Sequence, residues 1–437
     1  MFQYYFLLGL RSLRRNPALT ALMVLTLAVG VAASVSTLTI LHIMSGNPIP
    51  HKSERLFSPL IDNGQPEGYA PGDPPQDDQL SFHDASNLLA SKMGERRTAI
   101  FGVSKPIVPQ RTDLNPFGAS GIAATADFFS MFDAPFQYGQ GWGEAEDKAG
   151  ADVIVLNRGL SEKLFGSANP VGQKVNLMNQ DFVVVGVLDH FLPVPRYYRI
   201  IGGPGAFGGE DEFVIPFQSA IRHQARPSGS LSCSGRVQPG YQGLLDSECT
   251  WIAFWFEMKS AGARAELQNW LDAYADSQRK LGRMKRAAPN QLFDVMQWME
   301  HLKVAGNDSR LAALLAFGFL LLCLVNAIGL MLAKFSVRAP EVGVRRALGA
   351  ARADIFRQFL VETAVVGLAG GLLGLALAFG ALALIGQASR ELAVVARMDW
   401  QMLILTFVMA IAAAMLAGLL PTWRACQVTP ALQLKSQ

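Results

Sequence analysis

Long apolar runs bracket a broad polar middle in this chain. Ala18 to Met44 contains no Asp, Glu, Lys or Arg, and Leu311 to Ala333, Thr363 to Ile385 and Met402 to Leu420 are equally free of charge. Each run is roughly 20 residues or more, enough at about 1.5 Å per helical residue to cross about 30 Å of hydrocarbon. This 1+3 spacing predicts a membrane protein with four transmembrane α-helices and a large α+β domain inserted between the first and second. The expected spans are 18–44, 309–334, 360–386 and 402–421, with the inserted domain at 45–308. The link between the second and third spans covers 335–359, a short loop 387–401, and the two ends 1–17 and 422–437. The first apolar core is about twice the 7–15 residues of a cleaved signal peptide, so it reads as a span.

Within the middle, the pattern changes from loop to alternation. Asn63 to Asp78 is rich in Pro, Gly and Asp, and predicts a loop. Asp152 to Leu156 and the Val-rich Phe182 to Leu188 read as strands, as does Glu212 to Pro216. Arg158 to Phe165 reads as a helix stopped by Gly166, and residues 260–285 read as helical. Gly202 to Gly209 and Pro227 to Gly243 are loop-like, the latter within an insertion at about 220–250. Glu300 to Ser309 is expected to extend the second span as a rigid helical stalk. At the start of the chain, Phe2, Tyr5, Phe6 and Leu10 line one face of an amphipathic segment that Asn16-Pro17 interrupts.

Charge then orients the spans. The net charge of +3 is too small to suggest a nucleic-acid partner, but its distribution is uneven. Arg11, Arg14 and Arg15 precede the first span, and Lys334, Arg338, Arg345, Arg346, Arg352 and Arg357 fill the second–third link. Arg424 and Lys435 follow the fourth span, whereas 387–401 holds only Arg390 and Arg397. The positive-inside rule places both termini and the basic link in the cytoplasm, and residues 45–308 outside. Cysteines divide accordingly. Cys323 is inside the second span and Cys426 lies at the cytoplasmic end of the fourth. Cys233 and Cys249 are exported, where oxidation is permitted, so a disulfide between them is expected in preference to two unpaired thiols.

The chemistry-bearing motifs are few. No G-x-x-x-x-G-K-[ST] occurs, so no phosphate-cradling loop is expected in these residues. Gly203 to Gly208 fits G-x-G-x-x-G, but acidic loop sequence follows it where a helix would be required. His42, His51, His83, His190, His223 and His301 are scattered, none in H-E-x-x-H, and no G-x-S-x-G appears. The chain therefore reads as a non-enzyme with no catalytic, metal or cofactor residues of its own. The basic link is more informative. Pro340 suits the first turn of a helix, Glu341 its positive end, Arg345 sits four residues beyond Glu341, and Gly349 can end the helix. A short charged helix suited to docking a soluble partner is one reading; a basic loop explained by topology alone is the other. In the third span Gly367/Gly371 and Gly370/Gly374 are four apart, as are Ala414/Gly418 in the fourth, which fits close helix packing within a bundle or between copies. Asn326 is the strongly polar residue nearest a span centre.

The link carries a resemblance. Glu341-Val-Gly-Val-Arg-Arg-Ala-Leu-Gly-Ala350, Phe359-Leu-Val-Glu362 and Gly370-Gly-Leu-Leu-Gly374 resemble the membrane component of MacB/FtsX-like (type VII) ABC transporters. Ala126 to Phe132, Asp152 to Asn157, Leu164-Phe-Gly166, Asn169-Pro-Val-Gly172 and Val183 to Leu188 resemble the MacB-like periplasmic core. Leu420 to Leu432 is similar to the family's closing motif, with Trp423 and Cys426 departing from its commoner residues. The resemblance covers nearly the whole chain, without the ATPase that MacB carries. It implies a permease of the bacterial inner membrane, surrounded by lipid, with its large domain periplasmic. It implies two separate ABC ATPase subunits that bind ATP and Mg. A second permease copy or a paired permease would complete the membrane part, with a periplasmic adaptor and an outer-membrane channel. By position, Glu341, Gly343, Arg345, Arg346, Ala347, Gly349 and Ala350 would form the ATPase-coupling surface. The function implied is efflux or export driven from outside the inner membrane. A Lol-type lipoprotein-extracting permease and an FtsX-like regulator of a cell-wall hydrolase are the alternatives.

Overall fold

The computed structural model describes residues 16–203 and 205–388, with nine further positions between 404 and 423. The segment 1–15, the remainder of the short loop and of the fourth span, and Cys426 with the tail lie outside the described residues. The chain divides into two compact units. One runs from Gly46 to Val304; the other comprises the residues up to Ser45 and from Ala305 onward.

The unit 46–304 is built on one eleven-stranded mixed sheet. Its strands are β1 (Leu56–Leu60), β2 (Leu80–Ser81), β3 (Arg96–Val108), β4 (Phe117–Ala124), β5 (Phe136–Gly139), β6 (Val153–Asn157), β7 (Lys174–Leu177), β8 (Gln180–Leu188), β9 (Phe213–Pro216), β10 (Thr250–Glu257) and β11 (Gln291–Asp294). The order across the sheet is β11-β1-β10-β3-β4-β9-β6-β8-β5, with β2 beside β10 and β7 bridging β3 and β8. The β4–β9 and β6–β8 pairs are parallel and the others antiparallel. Successive side chains of a strand face opposite ways, and here both faces are covered. Phe101, Ile154, Leu156, Phe213, Ile215, Phe254 and Phe256 enter one core. Their neighbours Ile100, Val155, Val214 and Trp255 enter the other. The first face is closed by helices Phe82–Ala90, Arg158–Phe165, Phe217–Arg222 and Arg264–Lys280. The second is closed by helices Asp127–Met131 and Val295–His301 and by Tyr197 and Tyr198.

Local signals explain the ends of several elements. Asn157 caps the helix Arg158–Phe165 by accepting from Leu160 N at 2.8 Å, and Gly166 with φ of 74° ends it. Asp294 and Gln297 form a reciprocal cap at the start of Val295–His301. Cys233 and Cys249 are joined by a disulfide, and the adjoining Ser232 pairs with Thr250 on β10. Gly203 and residues 205–208 lie outside any helix or strand, and the next regular element is β9.

Among the described residues the other unit contains three long apolar helices, Pro17–Ser45, Asn307–Val337 and Arg352–Ala388, each long and apolar enough to cross a membrane. A shorter helix, Ala339–Ala347, lies between the second and third and is called the elbow below. Small residues let the long helices approach closely. A methyl group on Gly30 would sit 2.9 Å from Cys323 Cβ, and one on Gly374 would sit 2.9 Å from Ala28 O. Gly370 faces Leu27 in the same way, Gly418 faces Thr363, and Gly367 and Gly371 are buried. Ser34 Oγ donates to Ala316 O at 3.0 Å. Asn326 lies exposed on the second apolar helix.

The expected continuous stalk is not observed. Helix Val295–His301 stops, residues 302–306 are not helical, and the next helix begins at Asn307. The physical cause is local: Lys303 adopts φ of 51°, while Val304 N folds back to Met299 O at 3.0 Å. A left-handed residue cannot continue an α-helix, so the break is built into the backbone.

Candidate coupling site

The elbow arises from a short amphipathic sequence. Arg338 ends the second apolar helix and also opens the elbow, with its carbonyl accepting from Val342 N at 3.1 Å. Pro340 occupies the first turn, where a missing N–H costs nothing. Glu341 pairs with Arg345 at 2.6 Å across one helical turn, as their spacing predicts, and Arg345 also donates to Gln358 of the third apolar helix at 3.1 Å. Gly349, with φ of 98°, turns the chain back toward that helix.

Two faces result. Val342 packs inward on Ile355 and Phe359, and Phe335 meets Phe359 with tilted rings whose centroids are 4.4 Å apart. On the outer face Val344 and Leu348 are 55% and 83% exposed, beside exposed Arg345, Ala347, Gly349 and Ala350. Glu341 and Arg346 lie at the margin. Gly343 is a correction to the expected surface: it is buried beside Val342 and belongs to the inner face. Val344 and Leu348 were not part of the expected surface. Their spacing of four places both on one side of a helix, and that signal was readable.

Behind the elbow lies an ion cluster that the sequence did not reveal. Glu362 Oε1 is 2.7 Å from Lys334 Nζ, and Oε2 is 2.9 Å from Arg338 Nη1. Lys334 and Glu362 are almost fully buried. One carboxylate from the third apolar helix thus holds two cations from the end of the second.

The unit 46–304 has its own buried charges. Asp211 accepts from Arg199 Nη2 at 2.8 Å, Arg196 Nη1 at 3.1 Å and Tyr198 Oη at 2.8 Å. Burial alone would raise its pKa, but the two guanidiniums outweigh burial and hold it below the usual carboxylate value. Glu257 is buried between Arg96 at 2.9 Å and Arg55 at 3.2 Å. Asp84 pairs with Arg283 and accepts from Tyr274 Oη at 2.7 Å. An open cleft of about 660 Å³ is lined by Arg97, Asp127, Trp142, Glu144 and Asp147, among others. Burial pushes the Asp147 carboxyl up to about 6, against the hydrogen bonds from Ala126 N and Trp142 Nε1.

Four of the histidines are paired singly and lie apart. His51, His190, His223 and His301 each face a carboxylate, Asp133, Glu210, Asp152 and Asp78 respectively, on separate parts of the domain. Among the described residues no group of three or more His, Cys, Asp or Glu side chains is placed to hold a metal.

Apolar helices joined by an elbow, with a large α+β domain inserted in the sequence after the first, define a permease-type membrane protein. Residues 20–273 match the MacB-like periplasmic core domain, and residues 313–430 match the FtsX-like permease C-terminal region. The chain belongs to the MacB/FtsX-like family of ABC-transporter permeases. The macrolide export ATP-binding/permease protein MacB of Rhodospirillum rubrum is 27% identical over 98% of this chain and 59% of its own length. The pyoverdine export ATP-binding/permease protein PvdT of Pseudomonas aeruginosa is 27% identical over 71% of this chain and 41% of its own. The chain thus spans less than two thirds of the length of these relatives. The crystallised periplasmic region of MacB from Actinobacillus actinomycetemcomitans aligns with 59% of this chain and 94% of its own, at 13% identity and a TM-score of 0.35.

Proposed function

We propose that this chain is the membrane subunit of an export complex, carrying ATP-driven motion from a separate cytoplasmic ATPase to its periplasmic domain. The reading rests on the elbow. Its inner face is fixed to the third apolar helix, while Val344 and Leu348 stand exposed within a basic rim. Exposed apolar side chains ringed by charge suit a protein partner better than water. Two ATPase subunits, each holding its own ATP and Mg, would grip two elbows, one from this chain and one from a second copy or paired permease. The periplasmic domain would then hand substrate to an adaptor and an outer-membrane channel. In this arrangement both termini and the elbow face the cytoplasm, and the fourth span completes the membrane part.

The test is charge reversal at the elbow. Arg345→Glu with Arg346→Glu, in membranes where the chain is co-expressed with a candidate ABC ATPase whose hydrolysis the unaltered chain stimulates, is expected to abolish that stimulation. The mutant should still insert, as judged by carbonate-resistant membrane association. Undiminished stimulation in the double mutant would remove the elbow from the mechanism.

A further inference from the structure

The ion cluster behind the elbow does more than neutralise charge. Lys334 and Arg338 are four residues apart and share one helix face. Both reach Glu362, yet they occupy different structural positions. Lys334 is within the second apolar helix, where its neighbours Met331 and Phe335 already pack into the core. Arg338 is the hinge residue, closing that helix and opening the elbow. Its Nη1 lies 2.9 Å and 3.3 Å from the two Glu362 oxygens, so it grips both. A buried carboxylate left without a cation is costly, and Glu362 is 3% exposed, on the same helices and elbow that bring Phe335, Val342, Ile355 and Phe359 into one buried apolar cluster. The pull of Glu362 on Arg338 therefore holds the start of the elbow against the third apolar helix.

We infer that Arg338 is a positioning residue: clamped by Glu362, it locks the elbow to the third apolar helix so that the two move as one lever. The geometry of the clamp stands by itself; its use in transmission rests on the proposed function above. Lys334 in this arrangement balances the charge but does not hold the elbow. The two cations are therefore not equivalent, although among the described residues each pairs with the same carboxylate.

The experiment exploits that asymmetry and needs no ATPase. Val342 is buried on the elbow's inner face, whereas Leu348 is fully in the open. Each is replaced in turn by cysteine, in the full chain with Cys323 and Cys426 changed to serine, and maleimide labelling is timed in detergent. In the parent, Val342→Cys should label slowly and Leu348→Cys quickly. Adding Arg338→Met should speed Val342→Cys labelling about tenfold or more, since a fold-change of ten needs only about 1.4 kcal/mol of lost holding energy. Adding Lys334→Met should leave it within about twofold of the parent, and Leu348→Cys should label alike in all backgrounds. Equal acceleration by both substitutions would reduce the cluster to generic charge balance and overturn the assignment. So would continued protection in Arg338→Met. Either result leaves the elbow's role in docking to be judged by its own charge-reversal test.

Discussion

Asp211→Asn is the sharpest test of how the periplasmic-type domain is held together. Asp211 is the one carboxylate that the structure places between Arg196 and Arg199, whose side chains are 0% and 5% exposed. Asparagine keeps nearly the same shape and one carbonyl acceptor, but removes the charge. Two guanidiniums would then share a buried site with no counter-ion. Breaking a buried pair by removing one partner costs about 3–5 kcal/mol, whereas losing an exposed pair costs about 1 kcal/mol or less. The buried value applies here, because Asp211 is itself only 8% exposed and accepts three bonds. The assay is urea unfolding followed by tryptophan fluorescence; Trp255 is a near reporter, since its Nε1 donates to Tyr198 O at 3.0 Å. The sign of the pH dependence follows from the depressed carboxyl. Its stabilisation is fully present above the unfolded carboxylate value of about 3.9 and is lost as pH falls through the folded value. The wild type should therefore lose this contribution below about pH 4, and Asp211→Asn should not. A cost of only about 1 kcal/mol at neutral pH would mean that the cluster is solvated, and would refute the reasoning.

Two further outcomes follow from the same domain. Asp147 has the opposite sign: its folded value of about 6 lies above the unfolded one, so the wild type should lose stability as pH rises from about 4 to about 6, and Asp147→Asn should flatten that stretch of the urea-midpoint profile. An unchanged slope in the mutant would assign the dependence elsewhere. The edge strand β11 should exchange its amides through a smaller opening than β10, measured by hydrogen exchange with mass spectrometry; equal protection of the two would contradict it.

Legibility in the sequence depended on how many neighbours an element needed. Charge-free runs announce apolar helices because hydrocarbon permits little else, and Pro17–Ser45 and Asn307–Val337 cover the expected runs. Helix Arg158–Phe165 matched because its Asn157 cap and Gly166 stop are adjacent in sequence. By contrast, β1, β3, β4, β10 and β11 were not anticipated. The run Trp251-Ile-Ala-Phe-Trp-Phe256 has no polar alternation, since β10 is central and buried on both faces. In β4 small residues hide the pattern: Gly121 sits against Phe213 of β9, a constraint known only once the two strands are paired. The stalk failed for a similar reason. Residues 302–306 contain no proline; Gly306, which caps the next helix, is the one local sign, and the left-handed backbone at Lys303 makes the break itself. At the elbow, local signals such as Pro340 and the Glu341–Arg345 pair were readable. The Glu362 clamp joins helices through space, so its parts read as ordinary positive-inside charge.

The strand pairing also decides which part of the domain can yield. The chain that follows the first apolar helix enters the sheet through β1, and the chain that leads to the second leaves through β11. These strands are antiparallel neighbours, with Phe57 opposite Asp294 and Leu60 opposite Gln291, so entrance and exit lie at the same end of the pair. Drawing them apart would open the ladder one bond at a time from that end. They are not equally anchored. At its entrance β1 is held by Arg55, whose side chain meets Glu257 at 3.2 Å and whose carbonyl accepts from Met258 N at 2.8 Å. Lys52 adds a further tie, reaching Ser130 O at 2.7 Å. β11 has one strand neighbour, and is held besides by Arg264 Nη2, which donates to Leu292 O at 2.7 Å, and by the helix Val295–His301 that follows it. A load shared between the two ends therefore meets β1, paired on both sides, before β11, paired on one, and the difference between them is that one row of backbone bonds.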